Sequence, residues 1–282
     1  MSAPPAAPVF EPPLELTCFE HVRPMSGGIT QPLLVGACLP SGQRLRAVLK
    51  FRHPGTRRGQ GHFGATSLAC ELICAALARA LGLNTPDYAI AHVGSIFAHS
   101  IRDEAVRDRL CQNLGPNFAT ILIEPLPMPW KPGCTRRSFE LREAMEQVLS
   151  FDATIMNGDR RQEHPNLLWD GADTLHVIDH GLACLVAHAQ DAALISAGPL
   201  LPDWIVKGHC GYSFLRGNGC TFETVHARWG SRIGAAFWAA LRTAIPAEWE
   251  DHPGELDRIF EFLVARSMRF VDVNLALRRV VQ

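Results

Sequence analysis

The sequence predicts an α+β protein of two lobes, the first rich in strands and the second helical. Three observations carry that expectation. Short apolar runs broken by Gly and Pro fill residues 14–50, as strands and turns do. Apolar residues at three-to-four spacing fill residues 222–281 instead. The two kinds of element are separated along the chain, which suggests segregated layers with a cleft between them. The expected boundaries are a lead-in over residues 1–13, a first lobe over 14–124 and a second over 125–282.

Each element has a local reason. "LLVGACL" (33–39) and "RLRAVLKF" (44–51) read as strands joined by the turn "PSGQ". A Gly-containing loop, "RPMSGGITQP", precedes them, and "RHPGTRRGQGHFG" (52–64) follows as a second loop. "TSLACELICAALARALGL" (66–83) reads as a helix. Thr66 or Ser67 is its N-cap, Leu68, Leu72, Ile73, Leu77 and Leu81 form a broad face, and Gly82 ends it. "DYAIAHV" (87–93) and "FATILIEPL" (118–126) return as strands. "SFELREAMEQVLSFDATIM" (138–156) is a helix opened by Ser138. "NLLWD" and "TLHVID" form a hairpin turning at Asp170-Gly171. The tail is helical over 222–246 and 253–281, the latter with Leu256, Ile259, Phe260, Leu263, Phe270, Val273 and Leu277 on its apolar face.

Bulk properties narrow the function. A chain of 282 residues has ample material for a core. Net charge is −1, so no global field recruits nucleic acid or anionic membrane. The apolar runs are too short and interrupted to span a bilayer. "MSAPPAAPVFEPP" has neither a basic nor an apolar signal region and reads as an unstructured lead-in. The nine cysteines form no CxxC pair, so reduced thiols and a cytoplasmic location are expected. Cys70 and Cys74, four apart on a helix, read as buried structural thiols. The histidines form no HExxH or Cys/His pattern, which argues against a protein-only zinc site.

Two nucleotide signatures compete. Gly59-Gln60-Gly61-His62-Phe63-Gly64 spells GxGxxG between a strand and a helix. The context departs from a dinucleotide site: the turn is not tight, no acidic residue ends the next strand, and alternating βα units are missing. The second signature is spread along the chain. Phosphoryl transfer from ATP needs a Lys on the inner phosphates, a Glu to hold it, a carboxylate to orient the attacking hydroxyl, and an Asn and an Asp for magnesium. Lys50 lies on a strand, Glu71 on the next helix, Asp159 and Asn166 in the polar stretch "NGDRRQEHPN" (157–166), and Asp179 at the end of the hairpin in "IDHG" (178–181). Each alone reads as an ordinary surface Lys, helix Glu, cap or turn residue. Together they follow the order of a bilobal protein-kinase-like fold.

The blocks at 47–83 and 151–181 carry a resemblance: the chain is similar to the HipA-like kinases, closest to the short stand-alone domain found in bacteria. It also resembles the D-R-H-x-x-N and I-D-F-G elements of phosphatidylinositol kinases. The resemblance implies ATP and magnesium as cofactors. Lys50 would contact the inner phosphates, paired with Glu71. Backbone from Glu124 to Leu126 would be the hinge against adenine. Asp159 would orient the hydroxyl, Arg161 would reach the γ-phosphate, and Asn166 and Asp179 would hold magnesium. Ser26, Gly27 and Gly28 would belong to a loop over the phosphates, with Gly59 and Gly61 adding amide groups nearby. Ser26 or Thr30 would be an autophosphorylation site.

Three departures qualify the match. Asn166 follows Asp159 by seven positions where protein kinases and phosphatidylinositol kinases use five, although the short HipA-like domain carries the longer loop; position 161 is Arg where phosphatidylinositol kinases have His, and position 180 is His where kinases have Phe. The expected activity is phosphoryl transfer to a protein Ser or Thr. The alternatives are a nucleotide-binding pseudokinase and a small-molecule kinase of the aminoglycoside-phosphotransferase type. The acceptor itself is not encoded in any motif.

Overall fold

The computed structural model describes residues 10–25, 30–53, 64–131, 133, 138–184, 200–229 and 233–282. The protein is α+β. Strands β1 (Leu14–Pro24), β2 (Leu33–Cys38), β3 (Arg44–Lys50), β4 (Tyr88–Val93) and β5 (Gly115–Ile121) close into a barrel in the order β1-β2-β3-β5-β4. Antiparallel pairing runs through β2, β3, β5 and β4, and a parallel pairing of β1 with β4 closes the ring. That closure, and β1 itself, were not legible as discrete signals. The strand carries charges and aromatics on its exposed positions, with Leu16 and Cys18 turned inward.

Side chains from alternate strand positions fill the barrel. Leu16, Leu33, Val35, Ala47, Leu49, Ala89, Ala91 and Ala119 form its core. Two short helices absent from the sequence expectation, α2 (Ser95–Ser100) and α3 (Glu104–Gln112), add Phe97, Val106 and Leu110 to it. Both helices are too short for their apolar residues to build a periodic signal.

Helix α1 (Ala65–Ala80) lies between the barrel and the C-terminal helices, and every residue from Ala65 to Ala78 is buried. The expected single broad face is therefore corrected: the helix is enclosed on all sides, which its Ala- and Cys-rich composition permits. The expected cap is corrected too. Gly64, not Thr66 or Ser67, is the N-cap residue, and it offers no side chain. Asp251 takes the capping role from far along the chain, its Oδ2 accepting from the Thr66 amide at 2.9 Å. Gly64 is needed there because a Cβ would overlap that carboxylate. At the other end, Gly82 has φ +82 and the Trp229 indole donates to the Leu81 carbonyl at 3.0 Å.

After β5 the chain crosses to a second, three-stranded sheet of β6 (Met128–Pro129), β7 (Leu167–Trp169) and β8 (Leu175–Val177). The hairpin turns at Gly171, with φ +85. Helix α4 (Phe139–Ile155) is capped as expected, the Ser138 hydroxyl accepting from the Leu141 amide. The rest is helical: α5 (Asp203–Lys207), α6 (Tyr212–Leu215), α7 (Glu223–Trp229), α8 (Ala235–Thr243), a 3-10 turn (Ala247–Trp249), α9 (Glu255–Met268) and α10 (Phe270–Val281). The run expected as one helix over 253–281 is broken at Arg269 into α9 and α10. These helices and α1 share a second, larger core around Phe151, Trp229, Trp249 and Phe260. Cys70, Cys74 and Cys184 are buried within it. Among the described residues, no helix is long and apolar enough to cross a membrane.

Candidate functional site

The site is built around Lys50, the last residue of β3. Its Nζ donates to Glu71 on α1 and to Asp179 Oδ1, the latter at 2.8 Å. The Lys and Glu side chains are largely enclosed, while Asp179 is 41 % exposed and so faces outward. Glu71 does more than hold the Lys. Its two carboxylate oxygens accept from the backbone amides of His180 and Gly181, each at 2.9 Å. Gly181 permits this approach, since an added Cβ would stand 3.1 Å from Glu71 Oε1. Helix α1 is thereby bound to the stretch that follows β8. Sequence spacing paired Glu71 with Lys50 but carried no signal for the amide contacts, which depend on the backbone at 180–181.

Burial pushes the Glu71 carboxyl upward, and Lys50 only partly offsets this, leaving it raised to about 7. Burial acts the same way on Asp179, but there Lys50 prevails and the group falls to about 2. Asp179 is thus a carboxylate at neutral pH, open on one side.

The hairpin register places Asn166 beside Asp179. The Ile178 amide donates to the Asn166 carbonyl at 3.2 Å, extending the β7–β8 ladder by one step. Both Asn166 (φ +48) and Asp179 (φ +61) adopt left-handed backbone, a conformation that Asn and Asp tolerate better than most side chains and that concentrates at functional sites. Asn166 Nδ2 donates to Asp159 Oδ2 at 3.2 Å, so the amide reaches back across the lengthened loop. The extra residues are absorbed outward. The Arg161 amide donates to the His164 carbonyl at 3.2 Å, and residues 161–164 are exposed. Burial, then the negative charge of Asp179, raises the Asp159 carboxyl above its ordinary value.

Position 180 departs from the Phe of related motifs without losing its packing. His180 is buried and sits edge-on to Phe151, with ring centres 5.8 Å apart. Burial, reinforced by the nearby Arg160 charge, lowers it to about 3. It is a neutral ring at physiological pH and fills an aromatic's place.

The loop rests on a buried ion pair that sequence reasoning missed. Asp152, on α4, accepts from the Arg160 Nε, from His209 Nε2 at 3.0 Å and from Asn157 Nδ2 at 2.9 Å. Arg160 Nη1 donates in turn to the carbonyls of Pro165, Asn166 and Ile178. One guanidinium therefore holds the backbone on both sides of the Asn166–Asp179 pair. The available signal was an Asp eight residues before an Arg at the end of a helix, which reads equally well as surface charge. Burial by itself would raise the Asp152 carboxyl, but Arg160 and His209 overcome it, to about 2. Its stabilising contribution, about 2 kcal/mol, is present above the unfolded carboxylate value near pH 4 and is lost as pH falls towards 2. The urea midpoint should drop more steeply from pH 5 to 2.5 in the natural protein than in Asp152→Asn. Parallel curves would refute this.

The remaining expected residues lie apart. Arg161 is exposed and donates its Nε to the Gly158 carbonyl at 2.9 Å, on the outer side of the loop. Glu124 pairs with Arg46 near the crossing between β5 and β6, and Leu126 beside it is 63 % exposed. Ser26, Gly27, Gly28, Gly59 and Gly61 lie outside the described residues, as does most of the GxGxxG stretch. Thr30 is described and accepts, through its carbonyl, from Arg109.

Lys50, Glu71, Asp159, Asn166 and Asp179 thus converge. Among the described residues, no group of three His, Cys, Asp or Glu side chains is placed to hold a metal. One ionised, partly exposed carboxylate plus an amide suits a hard cation that takes its other oxygens from phosphates and water, as magnesium does. Residues 57–194 match the family model of the HipA-like kinases. The matched region includes Glu71, Asp159, Asn166 and Asp179, and it begins after Lys50. No curated protein matches the chain.

Proposed function

Because residues 57–194 belong to the HipA-like kinase family, we propose that the protein is an ATP- and magnesium-dependent phosphotransferase acting on a Ser or Thr hydroxyl. The observation that carries this reading is Lys50 held between Glu71 and Asp179, with the Asp159–Asn166 pair alongside. Bound magnesium would draw on Asn166 and Asp179 and neutralise charge on the transferring phosphoryl group. The protein's own residues do the rest. Lys50 offers a fixed positive charge to the inner phosphates, and Glu71 keeps it from turning away. Asp159, raised by burial and by Asp179, orients the attacking hydroxyl and accepts its proton. The segment around Glu124 to Leu126 offers backbone groups to the adenine ring. Arg161 would have to leave the Gly158 carbonyl to meet a γ-phosphate.

The test is incubation of the full chain with labelled ATP, with and without magnesium, reading nucleotide binding and phosphate transfer separately. Magnesium-dependent binding with transfer to protein hydroxyls is the expected result. Binding without transfer to any acceptor would make the protein a pseudokinase. Transfer only to small alcohols would make it a metabolite kinase.

A further inference from the structure

Beside Asp159 lies an aromatic surface that the proposed chemistry does not use. Trp204, on α5, is 49 % exposed. Its indole lies directly on Gly158, the residue before Asp159, so closely that an added Cβ there would overlap the ring. An indole left half in water forgoes much of the stabilisation its burial would give. The fold nevertheless holds it in place.

The cause is the core behind it. Ile205 and Val206 are each 1 % exposed and anchor the inner face of α5. The helix ends at Lys207, and two residues further on the His209 Nε2 is bonded to the same Asp152 that grips Arg160. Next to it, the Cys210 amide donates to the Arg160 carbonyl at 3.0 Å. Trp204 and the Asp159 loop are therefore referenced to one buried carboxylate. Across Gly158 stands the exposed Arg161, on the Gly158 carbonyl. Among the described residues the surround is open: residues 161–164, Asp203 and Lys207 are all exposed.

We infer that Trp204 is a specificity-determining residue for a polypeptide acceptor, stacking on a large apolar or aromatic side chain near the phosphorylated Ser or Thr. This rests on the phosphotransferase reading above. The open surround decides between acceptor classes. Small-molecule sites bury about 70–90 % of their ligand. A shelf beside exposed loop residues cannot do that, whereas an extended chain needs only one anchoring side chain on it.

The experiment uses the full chain, magnesium and labelled ATP with a library of Ser/Thr-centred peptides, each flanking position fixed in turn. The natural protein should favour Phe, Leu or Met over Ala at one flanking position by about tenfold, the scale of one aromatic contact. Trp204→Ala should reduce that ratio to about twofold or less, and Trp204→Phe should retain most of it. The ratio is taken within each variant, so a general loss of rate cancels. An unchanged ratio in Trp204→Ala overturns the inference. So does a natural protein that phosphorylates peptides with no apolar preference, a reading that needs no variant at all. Transfer to small alcohols with none to peptides overturns the acceptor class while leaving the phosphotransferase intact. Absence of ATP binding by the natural protein would instead remove the reading on which the inference stands.

Discussion

Asp159→Asn is expected to slow phosphate transfer by about 10²–10⁴-fold, the range for losing a positioned general base, while leaving the thermal midpoint nearly unchanged. The substitution keeps the side chain's shape and one carbonyl oxygen, which still accepts from Asn166 Nδ2. The Asp159 amide also keeps its bond to Asn157 Oδ1 at 3.1 Å, so the loop's backbone is not disturbed. What disappears is the acceptor for the hydroxyl proton and a negative charge 3.2 Å from the Asn166 amide. Magnesium-ATP affinity should change far less than the rate, because the proposed phosphate and metal partners are Lys50, Asn166 and Asp179. Single-turnover rates alongside nucleotide binding separate the two effects. A rate within tenfold of the natural protein would remove Asp159 from the role of base.

Arg160→Met is expected to cost about 3–5 kcal/mol of stability, the usual range for removing one partner of a buried ion pair. Met preserves the apolar stem but strands Asp152 in the core, with His209 and Asn157 as its remaining side-chain partners among the described residues. It also withdraws the donor from the Pro165, Asn166 and Ile178 carbonyls. Those last two belong to Asn166 and to the neighbour of Asp179, the pair proposed to hold the metal, so activity should fall as well, even where the protein remains folded. Adding Asp152→Leu to Arg160→Met should cost less than the sum of the single changes, since no charge is then left buried. Urea denaturation of the four proteins measures the coupling. A loss below about 1 kcal/mol for Arg160→Met, within the range of an exposed pair, would show that the ion pair is not what holds the loop.

The legible parts of the site were those whose chemistry is carried by residue type and order. Lys50, Glu71, Asp159, Asn166 and Asp179 stood out because phosphoryl transfer needs those groups in that sequence. The structure brings the five together. Their spacing raised a doubt that only the folded loop addresses: the additional residues turn outward at 161–164, and the Asn166 amide still meets Asp159. Arg160 lies between Asp159 and Arg161 but carries no such signal of its own. Nothing local distinguishes a guanidinium that will be buried from one that will be solvated. The difference is made by Asp152 and His209, which approach from separate helical segments.

Elements with short-range signals are fixed by the residues within and beside them. The Ser138 cap sits three residues from the amide it satisfies, the Gly171 turn needs only its own φ, and the strands flanking "PSGQ" are set by neighbouring side chains. The parallel closure of the barrel, the enclosure of α1 and the exposure of Trp204 arise only when distant segments pack together. The α1 cap shows why. Its donor and its carboxylate lie 185 residues apart, and Gly64 is required only because Asp251 arrives against it. A contact between distant segments leaves no periodicity, cap motif or turn residue in either one, so it becomes visible only when the chain has brought them together.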